Sequence, residues 1–188
     1  MDRDAVLAAF DEQVRRHPEP GTGIVVERGV ATTRVIASPD GWSGVTWSDL
    51  GGTDVDAAGV DALVRVHDQA FGGDHSAMGR SILTDLGDRP GAGEAFVAYA
   101  GATPVSSGRV SFHVGTDFAS LWGGGTVRAW RGRGVFRALV SHRAARAAAA
   151  GFRYLQVDAS ADSRPILRRL GFVEVAETTP YTLPPDLG

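Results

Sequence analysis

Apolar residues recur at spacings of three and four over residues 4–16, at Val6, Leu7, Phe10 and Val14. That period predicts a helix with one buried face, and Pro18 and Pro20 stop it. Residues 24–27 and 32–36, around Arg28-Gly29, predict a β-hairpin. Pro39-Asp40-Gly41 predicts a turn and residues 45–47 a short strand. A second helical stripe runs over residues 54–71, with Val60, Leu63, Val64, His67 and Phe71 on its apolar side, and ends at Gly72-Gly73. Residues 75–86 predict a third helix and residues 87–93 a loop. Three strands follow in series, 94–100, 104–113 and 118–126, punctuated by Gly101-Ala102 and Gly115-Thr116. Beyond a loop at Arg131, residues 135–150 predict a helix closed by Gly151. Residues 154–159 predict a strand. Residues 163–170 predict a short helix with Ser163 as cap, Pro165 in the first turn and Gly171 at the end. Residues 173–176 and 181–183 read as closing strands. Helices, then a run of strands, then strand–loop–helix–strand–helix–strand predict an α+β fold, a mixed α/β sandwich around one sheet. No repeat, low-complexity tract or interdomain linker interrupts it.

The chain has 188 residues, which suits one domain with an appendage. Hydrophobic residues make up 43% and charged residues 22%, a globular composition that argues against overall disorder. Cysteine is absent, which excludes disulfide and thiolate chemistry and suits a reducing compartment. The charged start, Met1-Asp2-Arg3-Asp4, leads into no signal-peptide stretch. No apolar run approaches the roughly 20 residues that span a bilayer. The expectation is a soluble cytoplasmic protein with no membrane partner.

Charge changes the picture more than composition does. The net charge is −3, and every one of the 19 basic residues is arginine. From Phe118 to Val157 there is no Asp or Glu but there are seven arginines: Arg128, Arg131, Arg133, Arg137, Arg143, Arg146 and Arg153. A segment of +7 in a chain of −3 leaves −10 elsewhere. The asymmetry predicts one anionic partner at one place. It argues against a nucleic-acid surface, because the remainder repels a polyanion.

The segment centres on a strand that runs through Gly123-Gly124-Gly125 into Arg131-Gly132-Arg133-Gly134 and opens a helix near Val135. The first main-chain N–H groups of a helix lack internal partners and sit at the positive end of its dipole. Glycines admit a bulky anion to the main chain, and arginines add charge and forked donors. The combination predicts a phosphate or pyrophosphate cradle. A tight turn with solvated arginines would explain the glycines, but not seven arginines without an acid. A nucleoside-triphosphate loop requires a lysine that the chain lacks. The dinucleotide fingerprint fails for want of a third glycine, and the loop falls late in the chain.

With Arg131-Gly132-Arg133-Gly134-Val135-Phe136, the sequence resembles the GNAT superfamily of acyl-CoA-dependent N-acyltransferases, whose signature is Arg/Gln-x-x-Gly-x-Gly/Ala. Phe136 departs from the small final position and could narrow the space over a pyrophosphate. The strand at 154–159, the short helix and Leu170-Gly171-Phe172 fall where that family has its fifth strand, fourth helix and Leu-Gly-Phe signature. The resemblance covers residues 94–183. Residues 54–86 fit the family's early helices in outline, and residues 1–41 match nothing in its common pattern.

The resemblance implies a central, mostly antiparallel sheet with a splayed strand pair and helices on both faces. Residues 42–188 would form this domain and residues 1–41 a helix-and-hairpin extension. It implies acetyl-CoA, or another short acyl-CoA, as acyl donor and a small-molecule amine as acceptor, in a direct attack without an acyl-enzyme. Pantetheine would pair with the edge Gly125-Thr126-Val127-Arg128, where N–H groups near Thr126 and Arg128 would polarise the thioester carbonyl. The pyrophosphate would rest on amides of Arg133, Gly134, Val135, Phe136 and Arg137, beyond the turn at Gly132, with the Arg131 and Arg133 side chains nearby. The family's pantetheine-contacting Asn is replaced by Ser160, and its thiolate-protonating Tyr by Leu167. Ser160, Ser163, Tyr181 or water remain as proton donors, although Tyr181 reads equally as packing at a strand end. His113, Asp117 and Glu94 are the candidate bases. His67 and His75 lie too far apart to argue for zinc, and no metal is expected. A monomer or homodimer is expected. The alternative reading is an acyl-CoA-binding sensor that has lost turnover.

Overall fold

The computed structural model describes residues 2–10, 12–13, 46–50 and 57–177. The predicted hairpin, the turn at 39–41, the strand at 181–183 and Tyr181 lie outside them. Five strands form one sheet in chain order: β1 (Thr46–Leu50), β2 (Gly93–Ala100), β3 (Thr103–Phe112), β4 (Phe118–Thr126) and β5 (Tyr154–Gln156). The first four pair antiparallel, whereas β4 and β5 run parallel. A parallel pair needs a crossover, and α4 (Val135–Ala149) supplies it. The other helices are α1 (Arg3–Phe10), α2 (Ala57–Phe71), α3 (Ser76–Asp88) and α5 (Arg164–Arg169). Among the described residues no helix is long and apolar enough to cross a membrane.

Alternation along β2 separates the two faces of the sheet. Phe96 packs with Leu139, Val140 and Ala144 of α4 and Leu167 of α5. Its neighbours Ala95 and Val97 pack with Val60 and Leu63 of α2 and Ile82 of α3. Successive side chains leave a strand on opposite faces, so helices cover both. Each fully buried Leu or Phe contributes about 1.5–3 kcal/mol. The amino-terminal helix docks on this body. Val6 and Phe10 are buried against Phe118, with the two phenyl rings 5.3 Å apart and edge-to-face. Arg3 Nη2 also donates to the Val175 carbonyl at 2.8 Å. The Phe10–Phe118 contact lies at the start of β4, the end away from the arginine-glycine loop.

Several expectations change in detail. The strand predicted at 154–159 stops at Gln156, because β4 pairs with it only from Phe118 to Ser120. Among the described residues, 173–176 form no strand and the sheet ends at β5. Phe71 ends α2 57% exposed rather than buried. Ser163 does not cap α5 through its side chain. Leu170-Gly171-Phe172 is a packing device, in which Gly171 (φ 93°) turns the chain so that Leu170 and Phe172 both enter the core.

Candidate active site

The cleft begins where the sheet opens. From Leu121 to Thr126 the far edge of β4 has no strand beside it among the described residues. On the near edge, Ser107 faces Gly125 and Arg109 faces Trp122, so Gly123 and Gly124 together oppose Gly108. This is a β-bulge with Gly123 in the left-handed region (φ 53°). Bulges bend and twist a strand, and this one lies where β4 leaves β5.

The glycine run is explained by what presses on it. A Cβ on Gly123 would lie 2.7 Å from His67 Nε2. On Gly124 it would lie 2.9 Å from Arg143 Nη2 and 3.2 Å from the Phe136 ring. On Gly125 it would lie 2.8 Å from the Phe71 ring. Helices α2 and α4 thus close on β4 from both faces, leaving room for main chain alone. Phe136 accordingly turns inward to pack beside Gly124 and against the core, and does not cover the loop. Arg143 is fully buried. Its Nε donates to the Leu139 carbonyl, and its Nη1 donates to the carbonyls of Arg109 and Trp122. Desolvation pulls its pKa down to about 9, so it remains a cation at neutral pH.

Main-chain direction decides which atoms face the cleft. The Val127 N–H donates to the Val105 carbonyl at 3.0 Å and the Val127 carbonyl accepts from Trp130. The Val127 N–H is therefore taken up by β3, which leaves Val127 no main-chain donor for a ligand. Hydrogen-bonding directions alternate along a strand, so Thr126, next to Val127, directs its main-chain groups away from β3, where its carbonyl accepts from Arg131 Nε and its N–H faces the open edge. Its side chain is buried against Ser106 Oγ at 2.9 Å. Arg128 to Trp130 form a 3-10 turn. Gly132 (φ 74°) and Gly134 (φ 77°) then bend the chain into α4, whose first turn has no side-chain cap and no acid.

The arginine charge is more dispersed than the segment's count implied. Arg131 Nε donates to the Thr126 carbonyl at 3.1 Å and its Nη2 to the Ala70 carbonyl at 2.8 Å. It clamps the end of β4 to the end of α2. Arg133 lies 4.8 Å over the Trp130 ring. Arg146 is bound to Glu94 by two hydrogen bonds, and Arg153 lies over Tyr154 at the start of β5. Arg128, Arg131, Arg133 and Arg137 are exposed around the opening of α4.

Between β5 and α5, Ser160 and Ser163 are brought together. Ser160 Oγ accepts from the Ser163 N–H at 3.3 Å, and the two hydroxyls lie 3.1 Å apart. Leu167 is buried in the core at the position where a proton donor was missed. The expected bases are engaged elsewhere. Glu94 holds Arg146, His113 Nε2 lies 2.6 Å from Ser120 Oγ, and Ser120 donates to Gln156 Oε1. His113 and Asp117 flank the start of β4, roughly 25 Å of strand from Thr126.

Sequence reasoning missed a cluster on the α2 side. The rings of His67 and His75 are only 5.7 Å apart, which corrects their presumed separation. Gly72 (φ 78°) and Gly73 (φ 85°) fold the chain back after α2. His75 then meets Asp68, whose Oδ1 lies 2.9 Å from both its main-chain N and its Nδ1. His67 is buried, with Nδ1 between the Leu63 carbonyl (3.2 Å) and Ser107 Oγ (3.3 Å). Its Nε2 abuts Gly123 without a hydrogen bond of good geometry. Desolvation lowers its pKa, so it is neutral. The sequence signal was the paired glycine between the two residues.

No family model matches the chain, and no curated protein matches its sequence. Solved structures match its fold. AAC(6')-Iy, in complex with the bisubstrate analogue CoA-S-monomethyl-acetylneamine, is 20% identical at a TM-score of 0.57, over 76% of this chain and 99% of that one. The ribosomal-protein-S18-alanine N-acetyltransferase of Escherichia coli is 15% identical at 0.54, over 68% of this chain and 76% of that one. A candidate acetyltransferase from Pyrococcus horikoshii is 17% identical at 0.56 over 69% of this chain, which spans 43% of that longer protein. Likeness at such identities is likeness of fold, and the fold of this chain is that of the GNAT superfamily, the GCN5-related N-acetyltransferases.

Proposed function

We propose that this protein is an N-acyltransferase that moves an acetyl or other short acyl group from acyl-CoA to the amine of a small molecule within a ternary complex. The observation that carries the reading is the edge of β4 from Leu121 to Thr126, which has no strand beside it among the described residues and runs into the uncapped opening of α4. A diphosphate fits that opening. Gly132 has open space where a Cβ would stand, left-handed glycines let successive N–H groups converge on one anion, and no acid occupies the first turn. Arg133, Gly134, Val135, Phe136 and Arg137 would hold the diphosphate through their amides. The main chain at Thr126 and Arg128 would hold pantetheine, with Ser160 and Ser163 between β5 and α5. Bound acyl-CoA supplies an activated thioester. Donors on β4 oppose the charge that develops on the acyl oxygen, worth roughly 3 kcal/mol each. A solved relative carrying a CoA-bearing bisubstrate analogue supports the same donor here.

The test is calorimetric titration with CoA. Arg128→Glu with Arg133→Glu is expected to weaken binding at least tenfold, about 1.4 kcal/mol; unchanged affinity refutes the site. One observation favours the second reading, a sensor without turnover. Leu167 is buried in the core, so α5 presents no acid there. Release of free thiol from acetyl-CoA across a panel of amines separates the two.

A further inference from the structure

We propose that His75, oriented by Asp68, is the base that takes a proton from the acceptor amine, and that the amine approaches over the exposed ring of Phe71 at the end of α2. The inference rests on the acyl-CoA reading above and adds the acceptor side to it.

An ionised carboxylate only accepts hydrogen bonds, so the 2.9 Å contact with Asp68 Oδ1 places the proton of His75 on Nδ1 and its lone pair on Nε2. The same carboxylate oxygen accepts the His75 main-chain N–H, and the His75 carbonyl accepts the Gly79 N–H at 3.1 Å. The residue is therefore fixed at both its main chain and its ring. Its side chain is 28% accessible, enough for a ligand to reach. His67, whose ring is 5.7 Å away, fills the space up to Gly123 in the bulge, and Phe71, 6.3 Å from His75, covers Gly125. His75 thus stands one ring's width from the strand that opens the cleft, on the α2 face. The diphosphate end belongs to α4 on the other face.

The chemistry of this surface suits an ammonium group. The exposed Phe71 ring offers a cation–π surface and Asp68 a negative charge. His67, kept neutral by burial, adds no competing cation. The charged and titratable groups around the dyad are Asp68 and His67 from α2, Arg109 from β3, and Asp74 and Arg80 from α3 and the residues leading into it. In the step, the ammonium gives one proton to His75 Nε2. The freed nitrogen lone pair forms the C–N bond, and the C–S bond breaks with its electron pair on sulfur. The second nitrogen proton passes to that thiolate, and the imidazolium returns its proton to solvent.

The experiment uses the full chain, acetyl-CoA, and spermidine, a tripeptide with a free amino terminus, and kanamycin as amines. His75→Gln is expected to lower kcat/KM with the best amine about 100-fold and to remove the acidic limb of its pH profile, with CoA affinity within about twofold of wild type. Added imidazole should restore part of the rate of His75→Ala, which a purely structural role would not allow. Asp68→Asn should lower the rate less. Long-range 1H–15N spectra should show the Nδ1-protonated tautomer of His75 in the wild type and its loss in Asp68→Asn, a readout independent of turnover. If His75→Gln fails to fold, the spectra and pH profile of Asp68→Asn decide. Unchanged kcat/KM and acidic limb in His75→Gln overturn the proposal, as does wild-type protein that binds CoA yet releases no thiol with any amine. Wild-type protein that does not bind CoA is a separate outcome, which removes the acyl-CoA reading and the base together.

Discussion

Substituting Gly123 by alanine isolates the two physical reasons for a glycine in the bulge. The first is conformational: at φ 53° a Cβ meets the following carbonyl, which costs about 1–2 kcal/mol. The second is contact: the new Cβ would lie 2.7 Å from His67 Nε2 and 3.3 Å from its Cε1. His67 is buried and held between Leu63 and Ser107, so overpacking should add about 1–3 kcal/mol. Together these make about 2–5 kcal/mol, or a fall in Tm of about 4–20 °C for a chain of this length. Gly115→Ala is the matched control, since Gly115 has φ 83° and nothing within 4 Å of a Cβ. It should show the conformational cost alone. Urea unfolding of both variants then measures the contact by difference, and Gly123→Ala in a His67→Ala background should be less harmful than in wild type. If Gly123→Ala falls within about 0.5 kcal/mol of Gly115→Ala, beyond which independent sites seldom deviate, the packing of α2 on the bulge is wrong.

Three further outcomes are expected. Because burial lowers the folded-state pKa of His67 below 6.5, the unfolded chain binds more protons between those two values. Stability should therefore fall as pH drops below about 6.5 and level off once the folded-state value is passed; Tm against pH should be flatter there in His67→Gln. Arg131→Ala removes two bonds to main-chain carbonyls and should cost about 1–2 kcal/mol in urea unfolding. Arg131→Lys should not restore this, because an ammonium cannot span Thr126 and Ala70 as a guanidinium fork does. Glu94→Gln breaks a half-exposed pair with Arg146, worth at most about 1 kcal/mol. It should lower Tm slightly and leave the pH profile of thiol release unchanged; a lost limb would return Glu94 to the role of base.

The sheet, its helices and the loop at Arg131 were legible because each rests on local signals: strand-forming runs punctuated by glycine turns in β2 to β4, a helical stripe in α2, Gly151 closing α4, and glycines where φ turns positive. What stayed hidden depends on distance in sequence. Gly123-Gly124-Gly125 was visible as a run, but its cause lies in His67, Phe71 and Arg143, residues 18 or more positions away. The arginine count was read as one anion site, because a sequence does not show that Arg146 meets Glu94 across the sheet or that Arg143 is buried among carbonyls. His67 and His75 looked remote because two left-handed glycines fold the chain back between them. Val127 was included with its neighbours because pairing direction is set by register with β3, which the sequence of β4 alone does not reveal.

A strand reduced to three bare glycines has little left with which to discriminate among acceptors. It presents the same peptide groups whatever approaches, and any side chain added there collides with a helix on one face or the other. On the proposed reading, among the described residues, preference for one amine over another is then carried by α2 and the turn behind it. Selection for a new acceptor range should gather its changes between Val64 and His75 and leave β4 untouched.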